Sequence, residues 1–276
     1  ITAFLILCMM LGTIITMSSS HWLLAWAGLE MNTLAIIPLI AQRHHPRATE
    51  AAMKYFLTQA TASAMILFAS LMNAWMTGQW DISQISTTGP AITLTLALAM
   101  KLGSAPFHFW LPEVLQGSSM PIAMIISTWQ KLAPASLMLT MNTSLNQQTL
   151  LILGLTSAIM GGWLGLNQTQ ARKIMACSSI AHMGWLLMAT AMSPNIALLT
   201  LATYILLTTS MFMVLLATKS KTLLNLGTAW LQTPTLLNSS MLILLSLGGL
   251  PPLTGFMPKW LILMELTTKD FLLISV

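Results

Sequence analysis

The sequence predicts an all-α protein: a polytopic membrane helix bundle made of two inverted five-helix repeats, each with a broken helix, the second repeat incomplete. Three observations carry this. Only 6% of the 276 residues are charged and 56% are apolar, against roughly 25% charged in soluble domains. Uncharged stretches at 1–20, 55–80, 82–100, 132–171, 174–218 and 222–258 reach or exceed the ~18–20 residues that a spanning helix needs, and several hold two spans. Polar and apolar residues do not alternate strictly, as barrel strands require, so helices must satisfy the spanning backbone internally.

Clusters of Ser, Asn, Gly, Pro and charge divide the chain into apolar segments. The first two, near 1–17 and 22–41, are separated by Ser18-Ser19-Ser20 and closed by QRHHPRATE. The third, 53–76, ends at TGQWD, and the fourth, 91–111, is interrupted by Gly103, Pro106 and Pro112. Segments at 120–141, 149–166, 174–192 and 196–217 follow, and a ninth, 236–266, is interrupted by Gly248, Gly249, Pro251, Pro252, Gly255 and Pro258. A tenth starts near Phe271. The chain opens on Ile1 with no cleavable signal and stops inside an apolar run, so it reads as a fragment cut at both ends.

The interrupted segments lie five apart. Five crossings are an odd number, so two tandem copies must run in opposite senses, the inverted-repeat plan of many transporters. Residues 1–141 form the first copy and 149–276 the second, truncated in its last helix. Charge supports the count. Loops on the N-terminal side carry Arg43, Arg47, Arg172, Lys173, Lys219 and Lys221, whereas the opposite loops carry only Lys269 and include Asp81. Basic residues stay inside, which places the N-terminus there. Trp22, Trp75, Trp80, Trp110, Trp163 and Trp260 fall near segment ends and read as an interfacial belt. Cys8 and Cys177 lack metal-ligand spacing and read as packing residues, and His44-His45 as a solvated turn.

Four ionisable groups remain within apolar segments: Glu30, Lys101, Lys131 and Lys259. Each costs about 2.5–3.5 kcal/mol at a helix centre, or about 10–14 kcal/mol for the set. Pairing alone cannot offset this, since one carboxylate faces three amines. Desolvation disfavours an ammonium and a nearby carboxylate favours it. At about 4 Å and an effective dielectric near 20, Glu30 would contribute ~4 kcal/mol to a partner lysine, so a small change in separation loads or discharges a proton. A helix broken at Gly103 and Pro106 frees backbone polar groups at mid-depth, which is tolerated where they are buried in protein or line a wet cavity. Lys101 stands beside that break and Lys259 one residue after Pro258. His108 follows the first break and His182 lies within the seventh segment, which corresponds in the repeat to the second segment that carries Glu30; both are candidate relays. Lys54 and Glu265, near segment ends, read as interfacial.

The stretches HWLLAWAGLEMN, EAAMKYFLTQA, AMKLGSAPFHFWLPEV, TWQKLAP, GLNQTQARKIMACSSIAHMGW and LSLGGLPPLTGFMPKW closely resemble the antiporter-like membrane subunits of respiratory complex I, the NADH:ubiquinone oxidoreductase of the mitochondrial inner membrane. The resemblance covers essentially the whole chain. It implies a multi-pass subunit, N-terminus on the matrix side, that translocates protons through buried Glu, Lys, His and water while partner subunits of the membrane arm and beyond perform the redox chemistry. It further implies that Glu30 pairs with Lys101, that Lys131 is the central lysine, that Lys259 is the exit-side group, and that His108 holds a family-typical position. The residues themselves show no nucleotide loop, cluster ligands or flavin motif, so no cofactor, no direct NADH or quinone site and no nucleic-acid partner is expected in this chain. Two rivals share the fold or its histidines. An independent cation/proton antiporter would use the same bundle, but one Glu among three Lys is a poor cation cage. A haem carrier needs facing histidine pairs, and His108 with His182 supplies one at most.

Overall fold

The computed structural model describes residues 2–42, 45–85, 87–231 and 233–269. The described residues form α1 (Thr2–Ser18), α2 (Trp22–Ala41), α3 (Pro46–Thr77), α4 (Thr88–Leu102), α5 (Trp110–Gly117), α6 (Met120–Ser127), α7 (Leu132–Thr140), α8 (Gln147–Gly165), α9 (Ala171–Met192), α10 (Pro194–Thr218), α11 (Leu223–Thr228), α12 (Pro234–Gly248) and α13 (Phe256–Thr268). Among the described residues six stretches are long and apolar enough to cross a bilayer: α2, α3, α6 with α7, α8, α9 and α10. The protein is a multi-pass helical membrane protein. At ~1.5 Å per residue the 15 residues of α4 or of α12 rise only about 22 Å, short of the ~30 Å hydrocarbon core, so each crossing needs both halves of its broken helix.

Both breaks use the same device. Gly103 (φ 74°) and Gly249 (φ 84°) end α4 and α12 in the left-handed conformation, which only glycine adopts freely. Gly103 N–H bonds the Ala99 and Met100 carbonyls, and Gly249 N–H bonds those of Leu245 and Ser246. The chain then wanders until α5 and α13 resume. Pro112 and Pro258, expected to belong to the breaks, lie within the first turns of α5 and α13, where a missing N–H goes unnoticed.

A second matched pair joins the helix ends. His21 bridges Asp81, with Trp22 N–H on the Trp80 carbonyl and Ile82 N–H on that of Ser20. Gln170 bridges Thr222, with Ala171 N–H on the Lys221 carbonyl and Leu223 N–H on that of Thr169. The two bridges sit at opposite ends of the bundle. From the first, α2 runs away to α3, whose Arg47 packs on Gly117 at the end of α5. Arg172, beside the second bridge, donates to the neighbouring Ser118 carbonyl.

Several local expectations are corrected. Segment five is not continuous: a 3₁₀ turn, Trp129–Lys131, separates α6 from α7. Pro134 explains it, since a proline lacks an N–H and its ring crowds the carbonyl four residues back. Trp22 and Trp110 are not belt residues but core, 1% and 6% exposed, because Trp22 packs in one core cluster with Leu29 and Ile66 and Trp110 in another, edge-on to Tyr55; Trp75 and Trp163, at 90% and 75%, do face outward. The short α11 was not expected. Leu224 and Leu231 around it are exposed, as suits a segment lying at the bundle end. The tenth segment from Phe271, and Arg43 and His44 of the second loop, lie outside the described residues.

Candidate functional site

The first break gathers its polar groups without joining them. Lys101 occupies the last turn of α4 and is 5% exposed, yet its Nζ meets no hydrogen-bond partner among the described residues. Glu30, in the middle of α2, likewise has a buried and unbonded Oε2. The two act on each other through space, but the ion pairs found among the described residues both belong to Lys54, on Glu50 and Glu113 at 2.5 Å. The Glu30–Lys101 contact expected from the family resemblance is therefore absent. The reason is layering: α3 packs on both α2 and α4 and stands between them. It contributes Tyr55, 1% exposed, within the electrostatic reach of Glu30, and Gln59, whose buried Nε2 is also unbonded.

Neutral side chains add to the carbonyls that the Gly103 N–H already holds at this break. Trp110 Nε1 donates to the Met100 carbonyl at 3.3 Å and Ser104 Oγ to that of Ala99 at 2.9 Å. His108 is 1% exposed within the bend, its ring 4.3 Å from that of Phe109. No side chain bonds its ring nitrogens, and the backbone of Pro106 is the polar group beside it.

The second break is wired differently. Lys259, in the first turn of α13, reaches back to donate to the Leu247 and Gly248 carbonyls at 3.3 and 3.1 Å. Those carbonyls end α12, where unpaired C=O groups carry the negative end of the helix dipole, so a cation is the natural cap. Its Nζ also lies 5.9 Å from the Trp185 ring centre. His182 on α9 sits between Lys259 and Lys131, feels both charges, and has the Leu247 backbone at its ring. A cavity of about 400 Å³ opens beside these groups, lined among others by Ser178, His182, Trp185, Gly248 and Lys259.

Lys131 sits on the 3₁₀ turn and is 2% exposed. Its Nζ donates to Tyr204 Oη at 3.1 Å and lies 4.8 Å from that ring's centre. Tyr204, on α10, donates in turn to the Ser127 carbonyl at 2.7 Å, and its ring centre is 5.6 Å from that of His182. The structure thus brings Lys131, His182 and Lys259 into one connected group, and places Glu30, Lys101 and His108 around the other break. Tyr204 and Tyr55 were missed from the sequence. A signal existed: they are the only 2 tyrosines of the chain, and both fall within helices rather than at the ends where amphipathic rings gather.

At the ends, Lys54 and its two carboxylates are partly exposed, in keeping with the interfacial expectation. Glu265 accepts from Ser193 Oγ at 3.2 Å. Cys177 is buried and Cys8 partly so, both free thiols.

Residues 19–276 match the family model described as NADH:quinone oxidoreductase/Mrp antiporter, TM. The chain is 58% identical over 270 residues to NADH-ubiquinone oxidoreductase chain 2 of Tetraodon nigroviridis, covering 98% of this chain and 77% of that one. Among solved structures, it matches a chain of respiratory complex I from Thermus thermophilus with a TM-score of 0.91 at 30% identity, over 99% of this chain and 66% of that one. A chain of the Mrp complex from a Dietzia species matches with a TM-score of 0.86 at 15% identity, over 98% of this chain and 56% of that one, a likeness of fold alone.

Proposed function

The chain belongs to the NADH:quinone oxidoreductase/Mrp antiporter TM family, and from that premise we propose that it is an antiporter-like, proton-translocating core subunit of respiratory complex I. It works among the other membrane-arm subunits in the mitochondrial inner membrane, with its N-terminus on the matrix side. Electrons pass from NADH to ubiquinone elsewhere in the complex, and this chain holds no redox cofactor. What it supplies is the path for protons.

One observation carries this reading. Four ionisable groups, Glu30, Lys101, Lys131 and Lys259, are strung across the bundle between two helix breaks, and none is neutralised by an ion pair among the described residues. A scaffold would gain by replacing such groups with apolar ones; retained, they are titratable stations. Lys101 has no bonded partner that would hold its proton in place, and Glu30 modulates it through α3. Lys131 and Lys259 flank His182, a relay at the position where the first half carries Glu30. His108 is a second relay, lying in the irregular backbone after Gly103. Buried polar atoms without a protein partner require water. Glu30, Gln59, Lys101 and His108 all present such atoms, which supports a hydrated path through the first half.

The path runs through two inverted repeats, residues 1–141 and 149–276. The left-handed glycine that ends α4 and α12, and the bridges that join helix ends on opposite sides of the bundle, support that division. The inside-positive loops support the orientation. An independent cation/proton antiporter remains the rival, but three amines and one carboxylate suit protons better than a metal cation.

The test is Lys101→Met in the assembled complex. Assembly stays intact and the proton-to-electron ratio falls. An unchanged ratio rejects the reading.

A further inference from the structure

We propose that Tyr204 is the relay and switch between Lys131 and His182, its hydroxyl latched on the Ser127 carbonyl in the closed position and turned toward His182 in the conducting one. The inference rests on the proton-translocating reading and adds a residue to it.

The latch follows from the 3₁₀ turn. In an uninterrupted helix the Ser127 carbonyl would accept from Lys131 N–H four residues on. Here Lys131 N–H bonds Thr128, three residues back. The Ser127 carbonyl is buried in the membrane interior and open to another donor, and Tyr204 Oη supplies it at 2.7 Å. The same break that sets Lys131 between α6 and α7 therefore also creates the resting place of the hydroxyl.

A tyrosine hydroxyl has one proton to donate and lone pairs to accept. Both functions are occupied: it accepts from Lys131 Nζ at 3.1 Å and donates to Ser127. In this arrangement a proton leaving Lys131 has nowhere to go, because a peptide carbonyl accepts a hydrogen bond but does not carry a proton onward. Lys131 is held, not discharged. Conduction needs the hydroxyl proton to point at a base. His182 is the base at hand, its ring centre 5.6 Å from that of Tyr204 at a tilt of 45°, with Lys259 beyond it. The Ser179 and Thr208 hydroxyls also face Tyr204, but both already donate to backbone carbonyls, of Ala176 and Tyr204 itself.

The step balances without any co-reactant. An N–H bond of the Lys131 ammonium breaks as an O–H bond forms at Oη; the former Oη–H bond breaks as an N–H bond forms on the imidazole. Lys131 ends as a neutral amine, Tyr204 is unchanged, and His182 carries the charge. The hydroxyl then rests with its new proton toward the neutral Lys131 amine, so it must turn back through the Ser127 latch before the next transfer. That reset makes the residue a one-way gate in each cycle rather than an open wire.

Tyr204→Phe in the assembled complex is the test. The ring, its volume and its contact with the Lys131 ammonium remain; the hydroxyl goes. Expected is a loss of coupled proton pumping as deep as that of Lys131→Met, together with disappearance of one tyrosine C–O band from the infrared difference spectrum between resting and turning-over enzyme. Tyr55→Phe leaves that band in place. Should Tyr204→Phe pump like the parent while Lys131→Met does not, the relay and switch are wrong and the proton-translocating reading survives. If both pump like the parent, the proton-translocating reading itself falls. If Tyr204→Phe does not assemble, ring-labelled tyrosine in the unmodified complex decides: a C–O band that shifts on turnover and stays put in the Lys131→Met complex supports the switch, and a band that never moves overturns it.

Discussion

The two broken helices solve one problem in opposite ways. Each ends at a left-handed glycine with carbonyls left over and a lysine close by. At the first, Lys101 takes none of them, being left with no bonded partner among the described residues, and an indole and a serine hydroxyl add a second donor to carbonyls that already hold the Gly103 N–H. At the second, Lys259 takes them itself. The first break thus holds its charge loosely, for water and the remote Glu30 to govern; the second ties its charge into the fold. The difference arises from which side of the break carries the amine. The lysine inside the last turn of α4 meets none of the carbonyls at its own helix end, while the one in the first turn of α13 reaches back across the gap to the negative end of α12.

If this contrast is right, removing the two amines has unequal structural effects. Lys259→Met strands the Leu247 and Gly248 carbonyls and destabilises by roughly 1–3 kcal/mol, while Lys101→Met loses no hydrogen bond and is neutral or slightly stabilising. Both stop pumping. Thermal melting of the assembled complex reads the difference, and equal melting points would break the comparison. Next, Gly103→Ala and Gly249→Ala each meet about 1–2 kcal/mol of left-handed strain, but they part in function. A Cβ at Gly249 would stand 2.8 Å from Lys259 Nζ, whereas one at Gly103 meets the Trp110 and Leu111 side chains at 3.2 and 3.4 Å. Pumping assays at matched complex content should show the larger loss for Gly249→Ala. Trp110→Phe removes one of two donors from the Met100 carbonyl, the Gly103 N–H staying on it, so it should lower stability by about 1 kcal/mol or less and leave Lys101 in place, with pumping close to that of the parent. Smallest is Lys54→Met: its partners are exposed, such pairs add little and salt screens them, so melting in high salt should match the parent.

Much of this architecture was legible in the residues. Sparse charge and long apolar runs dictate spanning helices because the bilayer leaves the backbone no other partner, and Gly103 and Gly249 mark the breaks because left-handed turns need them. The four intramembrane ionisable groups were legible for the same reason: a charge in oil is costly enough to stand out in the string. What escaped was contact. Glu30 and Lys101 looked like a pair, and nothing local to either says that α3 lies between. The 3₁₀ turn at Lys131 was hinted at only by Pro134, and Tyr204 lies 73 residues from the lysine it bonds. Trp22 and Trp110 carry the same sequence signature as Trp75 and Trp163, yet only the latter two face outward.

Solvation energies act residue by residue, so the linear string alone settles which segments enter the membrane, where they must bend, and which groups are too polar to sit there idly. Hydrogen bonds and ion pairs act over a few ångströms and depend on which helices become neighbours. Only the packed bundle decided that Lys131 leans on Tyr204, that Lys259 caps α12, and that Lys101 stands alone.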